Sequence, residues 1–430
     1  MSTQRHANDL VPVHGGLLEP VDCVVPLKHR KLFLTEAEKL PSVRVTKADL
    51  STVYRLSDGA LSPLQGPMDA ETWHRVLDKG SIHGGDGGCY AWTIPIALPV
   101  ADDEVRALRR GGSAALRSEE GTIVAILDEV EVYPWDKAKY VSIVYGTDRF
   151  DHPGGRMVQD DPRGKLAGGR VRALPQPLHP EYGEYMMSPR LVRALVRERK
   201  WECALAFQTR NPLHRAHEYA LVAGAERLTR EGYFTGVVLN PLVGELKGDD
   251  VPAAIRMRAY RMLHDRRLLG EGDKDAALWE SVGYDLADVF ELIGLDMRMF
   301  YGGPKEAVMH AIYRQNYGFS HLVIGRKHAD APFDDGKPIW GDFDAQQIFD
   351  ELEGELHVRP VKVGFAAYYE SLGRVDLTEN HPNEKPVTVS GTQVRLQLQS
   401  GQRPDPRILR PEVADVLIEA YRGLSQAGAG

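Results

Sequence analysis

Cys203-Ala204-Leu205-Ala206-Phe207-Gln208-Thr209-Arg210-Asn211-Pro212-Leu213-His214-Arg215-Ala216-His217-Glu218 is the stretch on which the fold turns. A short apolar run predicts a buried strand over 204–209. Asn211 then suits a helix N-cap and Pro212 the first helical position, so a helix amino end with free N–H groups should stand just beyond the sheet edge. Such an end is an anion site. His214 and His217, three apart, share one face of the first turns, with Arg210 just before the cap. Two imidazoles, a guanidinium and a helix amino end suit a phosphate chain or a developing phosphoryl charge, which calls for preorganised donors more than for a nucleophile. Two blander readings stay open on these residues alone: ordinary surface histidines, or a pair of metal ligands.

Outward from this junction the pattern alternates helix and strand. Ser188-Pro189 opens a helix through Leu191, Leu195 and Val196. Further strands are expected at Gly236–Asn240, Met297–Tyr301 and His321–Ile324, with helices over Ala253–Leu263 and Lys305–Tyr313. Alternation of this kind predicts a parallel α/β sheet whose ligand site lies at the carboxyl ends of the strands. Before residue 185 the chain instead shows short β-rich runs, at Ala91–Val100, Thr122–Leu127 and Tyr140–Tyr145, closed by a polar Asp151–Arg170 loop. After 361 come a strand at Val361–Phe365, a loop, and helices from Gln393 and Pro411. The expected division is 1–185 mainly β, 186–360 catalytic α/β, and 361–430 a small C-terminal domain.

Composition narrows the class. A chain of 430 residues, 43% hydrophobic and 27% charged, with 42 Gly and 27 Pro, reads as a multidomain globular protein. A formal net charge of −8 argues against a nucleic acid or an anionic membrane as partner. No apolar run approaches the eighteen or so residues of a membrane helix, and the polar Met1–Leu10 start carries no secretory signal. Cys23, Cys89 and Cys203 are odd in number and far apart, which points to a reducing cytoplasm and no thiolate zinc site. A second basic segment, Ile324-Gly325-Arg326-Lys327-His328-Ala329, ends a strand with a turn and donors at the same sheet edge.

These residues resemble the ATP sulfurylase (sulfate adenylyltransferase) family. Gln208–His217 is similar to its Gln-x-Arg-Asn-Pro-x-His-x-x-His signature. Leu61-Ser62-Pro63-Leu64-Gln65-Gly66-Pro67-Met68 resembles its Ser-Pro-Leu-x-Gly-Phe-Met, with Pro67 replacing the aromatic residue. Asn240-Pro241-Leu242-Val243-Gly244 with Lys247 and Gly248-Asp249-Asp250, Tyr301–Ala307, His310 to Gly318, Ile324–Ala329 and Val389–Arg395 follow further family segments, in order. Two departures stand in the second segment: Lys327 where the family has Asp, and Asp330 where it usually has Gly.

The resemblance implies a Rossmann-like nucleotidylyltransferase domain, an N-terminal PUA-like domain, and no fused adenylylsulfate kinase. It implies a reaction in which a sulfate oxygen attacks the α-phosphorus of ATP, giving adenosine 5′-phosphosulfate and pyrophosphate. Thr209, Arg210, Asn211, His214 and His217 would be catalytic. Gln208, Arg210 and backbone at Ala329 would hold sulfate. ATP would meet Gln208, Thr209, Arg210, Asn211, His214, His217, Gly325, Arg326, Lys327, His328 and Ala367. Mg2+ is expected with the ATP, without a protein metal site; no zinc is expected, since residues 366–389 hold His381 but no cysteine. A homodimer is expected, coupled to pyrophosphatase or to a separate adenylylsulfate kinase or reductase. Lys327 and Asp330 keep open a relative that uses another oxyanion or acceptor; a silent ATP-binding relative is the other alternative.

Overall fold

The structure is a computed structural model that describes residues 10–244 and 251–427; Lys247 and the Gly248-Asp249-Asp250 segment lie outside the described residues, as does most of Met1–Leu10. Five parallel strands, Cys203–Phe207, Thr235–Leu239, Phe290–Leu292, His321–Ile324 and Arg359–Lys362, form the central sheet. Their spatial order places Phe290–Leu292 at one edge, then Thr235–Leu239, Cys203–Phe207 and His321–Ile324, with Arg359–Lys362 at the other edge. The first strand in sequence is therefore central, and the chain leaves it in opposite directions on either side. The crevice at that switch point, between the ends of Cys203–Phe207 and His321–Ile324, is where a doubly wound sheet offers a ligand site.

A second five-stranded sheet precedes it. Its order is Ser42–Arg44, Ala114–Arg117, Ile123–Pro134, Lys165–Ala173 and Leu98–Val100, antiparallel except for the first pair. Gly66 lies against this sheet so closely that a Cβ there would stand 2.0 Å from the Gly169 carbonyl oxygen, so only glycine fits.

Three sequence expectations are corrected here. Tyr140–Tyr145 belongs to a helix, Lys137–Tyr145, which Asp136 caps by accepting from Lys139 N–H and which Gly146 ends in the left-handed region. Its β-branched residues had suggested a strand. The supposed loop over 151–170 is a helix, Pro153–Gln159, capped by His152, followed by the strand Lys165–Ala173, which lies inside the sheet between Ile123–Pro134 and Leu98–Val100. Small residues there permit close packing: a Cβ on Gly154 would meet the Phe300 carbonyl oxygen at 2.3 Å. Met297–Tyr301 is no strand, because Phe290–Leu292 takes the edge position beside Thr235–Leu239.

The core ties these parts together. One buried cluster runs from Leu56, Trp73 and Trp92 through Tyr145 to Val238, Ile312 and Ile324. A second joins Leu205, Val237 and Leu263 to Val361, Leu409 and Val413, so the hairpin Ala366–Tyr369/Arg374–Leu377 and the helices Gly391–Gln399 and Pro411–Ala427 pack on the parallel sheet. No helix among the described residues is long and apolar enough to cross a membrane.

Candidate functional site

The switch point opens into a cleft of about 500 Å³. Gln208, Thr209, Arg210, Asn211, His214 and His217 form one wall, and Gly325, Arg326, Lys327, His328, Ala329 and Asp330 face them. The two segments, more than a hundred residues apart in the chain, meet because their strands are neighbours in the sheet.

The first wall differs from the sequence expectation in its cap. The helix begins at Arg215 and ends at Arg230, and His214 is its N-cap, in extended conformation with ψ 163°. Its Nδ1 accepts from the His217 backbone N–H at 3.4 Å, which places its ring proton on Nε2. Asn211 and Pro212 sit in the preceding turn. Thr209 Oγ accepts from Asn211 N–H at 3.2 Å, and the Asn211 carbonyl accepts from Tyr260 O–H at 2.7 Å, while Leu213 is buried as an anchor. Those contacts hold the turn open for three residues, so the cap role falls to His214.

The rings of His214 and His217 stack, with centroids 3.7 Å apart and planes 23° apart. Loss of water lowers the His214 pKa to about 4; desolvation, then the neighbouring His214, lowers that of His217 to about 3. Both are therefore neutral donors or acceptors at pH 7, and the permanent positive charge on this wall is the Arg210 guanidinium, which lies over the Tyr301 ring at 5.4 Å.

On the second wall Lys327 and Ala329 adopt left-handed backbone, with φ 50° and 56°, a conformation that costs a non-glycine residue energy and that clusters at functional sites. The Ala329 carbonyl accepts from Gly303 N–H at 3.1 Å, which braces the turn. Lys327 does not stand alone as added charge: its Nζ lies 3.7 Å from Asp342, whose carboxylate also accepts from Arg326 at 2.9 Å. Burial raises the Asp330 pKa, and its Oδ1 has no hydrogen-bond partner among the described residues.

Four side-chain atoms of cleft residues are buried and unpartnered among the described residues: Gln208 Oε1, Arg210 Nη1, His217 Nδ1 and Asp330 Oδ1. Buried polar groups are nearly always satisfied, so this concentration marks a place where a ligand completes the hydrogen bonding.

One expected contact moves by a residue. Ala366, with Gly364 and Phe365, lines the cleft, and Ala367 does not. Both lie on the Ala366–Tyr369 strand, where successive side chains point to opposite faces. Phe365 is exposed and carries the Arg326 guanidinium 3.9 Å above its ring, an aromatic platform at the mouth. Sequence reasoning gave it no role, although a Gly-aromatic pair at the end of an expected strand was a usable signal. Ser390 caps Gly391–Gln399 by accepting from Gln393 N–H at 3.2 Å, and neither it nor Arg395 lines the cleft.

Behind the cleft stands a layer to which the sequence reading gave no role. Gln208 Nε2 donates to His310 Nδ1 at 3.0 Å, and the same Nδ1 lies 2.8 Å from His328 Nε2. His310 and Glu306 are wholly buried on the Gly303–Tyr317 helix. A Glu and a His four apart on one helix face were the available signal.

Comparison with known proteins bears on the whole chain. Residues 183–420 match the ATP-sulfurylase family, and residues 11–176 match the PUA-like domain. The chain is 51% identical to the sulfate adenylyltransferase of Pyropia yezoensis, over 95% of this chain and 97% of that relative. It is 35% identical to that of Microcystis aeruginosa, over 95% and 97%, and 34% identical to that of Synechocystis sp., over 96% and 97%. Among solved structures, a hexameric APS kinase from Thiobacillus denitrificans shares the fold with a TM-score of 0.69 at 23% identity, over 95% of this chain and 68% of that one. A family match spanning more than half the residues, together with near full-length relatives well above 30% identity, means that this chain belongs to the ATP sulfurylase family.

Proposed function

We infer that the cleft condenses ATP with sulfate to give adenosine 5′-phosphosulfate and pyrophosphate. The observation that carries the reading is the cluster of buried, unpartnered polar atoms on Gln208, Arg210 and His217 at the switch point of a parallel sheet. A sulfate oxygen attacks the α-phosphorus as the bond to the β-phosphate oxygen breaks, and the electron pair leaves with pyrophosphate. No proton has to move and no covalent enzyme intermediate forms. Sulfate is a weak nucleophile, so the enzyme contributes alignment and charge compensation.

Gln208, Arg210 and the strained backbone at Ala329 hold sulfate in this reading. Thr209 and Asn211 shape the turn that presents them. His214 and His217 meet the phosphate chain as neutral imidazoles, and charge developing on the departing pyrophosphate draws on their N–H groups and on Arg210. Gly325, Arg326, Lys327 and His328 cover the nucleotide, with Phe365 and Ala366 beside the base. Mg2+ belongs with ATP as part of the substrate. Among the described residues the cleft offers imidazole, amide, guanidinium and ammonium groups with the single carboxylate Asp330, which does not match the oxygen octahedron that Mg2+ requires, so phosphate oxygens and water would hold it.

The anhydride product is high in energy, so pyrophosphatase, or a separate kinase or reductase acting on the product, pulls the reaction forward. We assign the enzyme to the cytoplasm as a homodimer, on family resemblance and the three free cysteines, and retain 1–185, 186–360 and 361–430 as working domain limits. The test is sulfate-dependent phosphate release from ATP and Mg2+ with pyrophosphatase, with molybdate in parallel. Arg210→Ala should lose at least about a hundredfold in kcat/KM. No sulfate-dependent release by the wild type sinks the reading.

A further inference from the structure

Glu306, His310 and Arg314 occupy successive turns of the Gly303–Tyr317 helix, and all three are fully buried. Four-residue spacing stacks them on one face. The stripe thus runs from a carboxyl group through an imidazole to a guanidinium, inside the core and behind the cleft. A buried stripe of this kind costs stability, and an apolar helix face would pack at no such cost.

Its contacts show where it acts. His310 Nδ1 meets two cleft residues at once, Gln208 Nε2 at 3.0 Å and His328 Nε2 at 2.8 Å. An amide nitrogen only donates, so Nδ1 accepts and the ring proton of His310 sits on Nε2. That nitrogen lies 3.3 Å from Glu306 Oε1 without a hydrogen bond between them, and it has no hydrogen-bond partner among the described residues. Glu306 is fixed in turn by Phe300 N–H at 2.8 Å and Gly302 N–H at 2.9 Å. On the other side Arg314 donates to the His310 carbonyl at 3.3 Å and has no carboxylate partner among the described residues. Desolvation, reinforced by the Arg314 charge, keeps His310 well below its ordinary pKa. Neutrality matters, because a protonated His310 would turn an N–H against the Gln208 amide and lose the shared acceptor.

We propose that His310 is a positioning residue that orients Gln208 toward the anion and His328 toward the nucleotide through its Nδ1. It touches neither substrate. The inference rests on the sulfate reading for what Gln208 binds, while the link through His328 to ATP is independent of which oxyanion is used.

The experiment compares His310→Phe, His310→Asn and His310→Gln in the full-length protein. Asn places an amide oxygen near the position of Nδ1, whereas Gln reaches toward that of Nε2. Two constants are read: the Kd for ATP by calorimetry and the KM for sulfate in the coupled phosphate-release assay. His310→Phe should weaken both by about tenfold, the ratio for one lost hydrogen bond of about 1.4 kcal/mol. His310→Asn should return both to within about threefold of wild type, and His310→Gln should not. Melting curves for each variant separate loss of folded protein, which lowers kcat in proportion and leaves KM and Kd alone. If Phe, Asn and Gln variants share the same constants, or only kcat falls, His310 is structural and the proposal is wrong. If the wild type fails to use sulfate, the functional reading fails by itself, and the ATP affinities of the same three variants still decide the role of His310.

Discussion

His214 Nδ1 accepts from the backbone N–H of His217, and the two imidazoles stack 3.7 Å apart. One residue thus caps the helix, orients its neighbour and lines the cleft. Because desolvation keeps both rings neutral in the free protein, negative charge arriving in the cleft must meet N–H dipoles first and can draw protons second.

The pH dependence follows from that neutrality. His214 and His217 are held at about 4 and about 3, below the usual 6.5, so below pH 6.5 the unfolded chain takes up protons that the folded chain does not. Their contribution to stability is intact above pH 6.5 and is lost as the pH falls toward 4. The melting temperature should drop between pH 7 and pH 5, ATP should offset part of the drop by raising both pKa values, and His214→Asn should flatten the curve. Thermal scans at five pH values, with and without ATP, measure this; a flat wild-type profile contradicts it.

Asp330 sets a carboxylate in the cleft, next to Ala329 of the proposed sulfate site, with a buried oxygen unpartnered among the described residues. Asp330→Gly should lower KM for sulfate about fivefold, the effect of removing about 1 kcal/mol of repulsion across a partly screened cleft. Steady-state kinetics at low and high salt would show the gain shrinking as ionic strength rises. An unchanged KM would mean that the group is protonated or turned away when sulfate is bound.

Ala366 and Ala367 provide a test of which strand face meets the nucleotide. Ala366→Leu should raise KM for ATP about tenfold and leave KM for sulfate near wild type, by filling the space beside Phe365. Ala367→Leu should alter melting temperature more than either KM. Reversal of the two outcomes would move the base to the other face of the hairpin.

Glu218, the residue after His217, is buried and accepts from Arg410 Nε at 2.9 Å on both oxygens. This pair fastens the C-terminal region to the helix that carries the cleft histidines. Arg410→Ala strands a buried carboxylate and should cost about 3–5 kcal/mol in urea unfolding. The double variant with Glu218→Gln should recover a good part of it, because the unpaired charge is gone.

Much of the cleft was legible in one dimension because its two walls are strand-to-helix junctions whose residues are consecutive. Gln208–His217 and Gly325–Ala329 reach the same crevice as soon as their strands are neighbours. The layer behind was not legible, because His310 shows its role only when the Gly303–Tyr317 helix docks beneath Gln208. Asn316 on the same helix donates at 3.0 Å to the carbonyls of Ala60 and Ser62, so the Ser62–Met68 segment, read as a motif without a role, is fastened to the helix that supports the cleft. The misreadings have physical causes too. A β-branched run at Tyr140–Tyr145 obeyed its cap at Asp136 rather than its propensity, and Met297–Tyr301 was apolar enough for a strand but had no free sheet edge to join.

By itself, then, the sequence determined what short-range chemistry can determine: apolar runs that become buried strands, prolines and glycines that punctuate them, and two polar segments rich in donors at the strand ends. Only the tertiary structure decided which residue caps the helix, that both cleft histidines are neutral, that Ala366 rather than Ala367 faces the cleft, and that His310 joins the two walls. Those properties depend on desolvation, strand register and helix docking, and each arises from residues that are distant in the chain and adjacent in space.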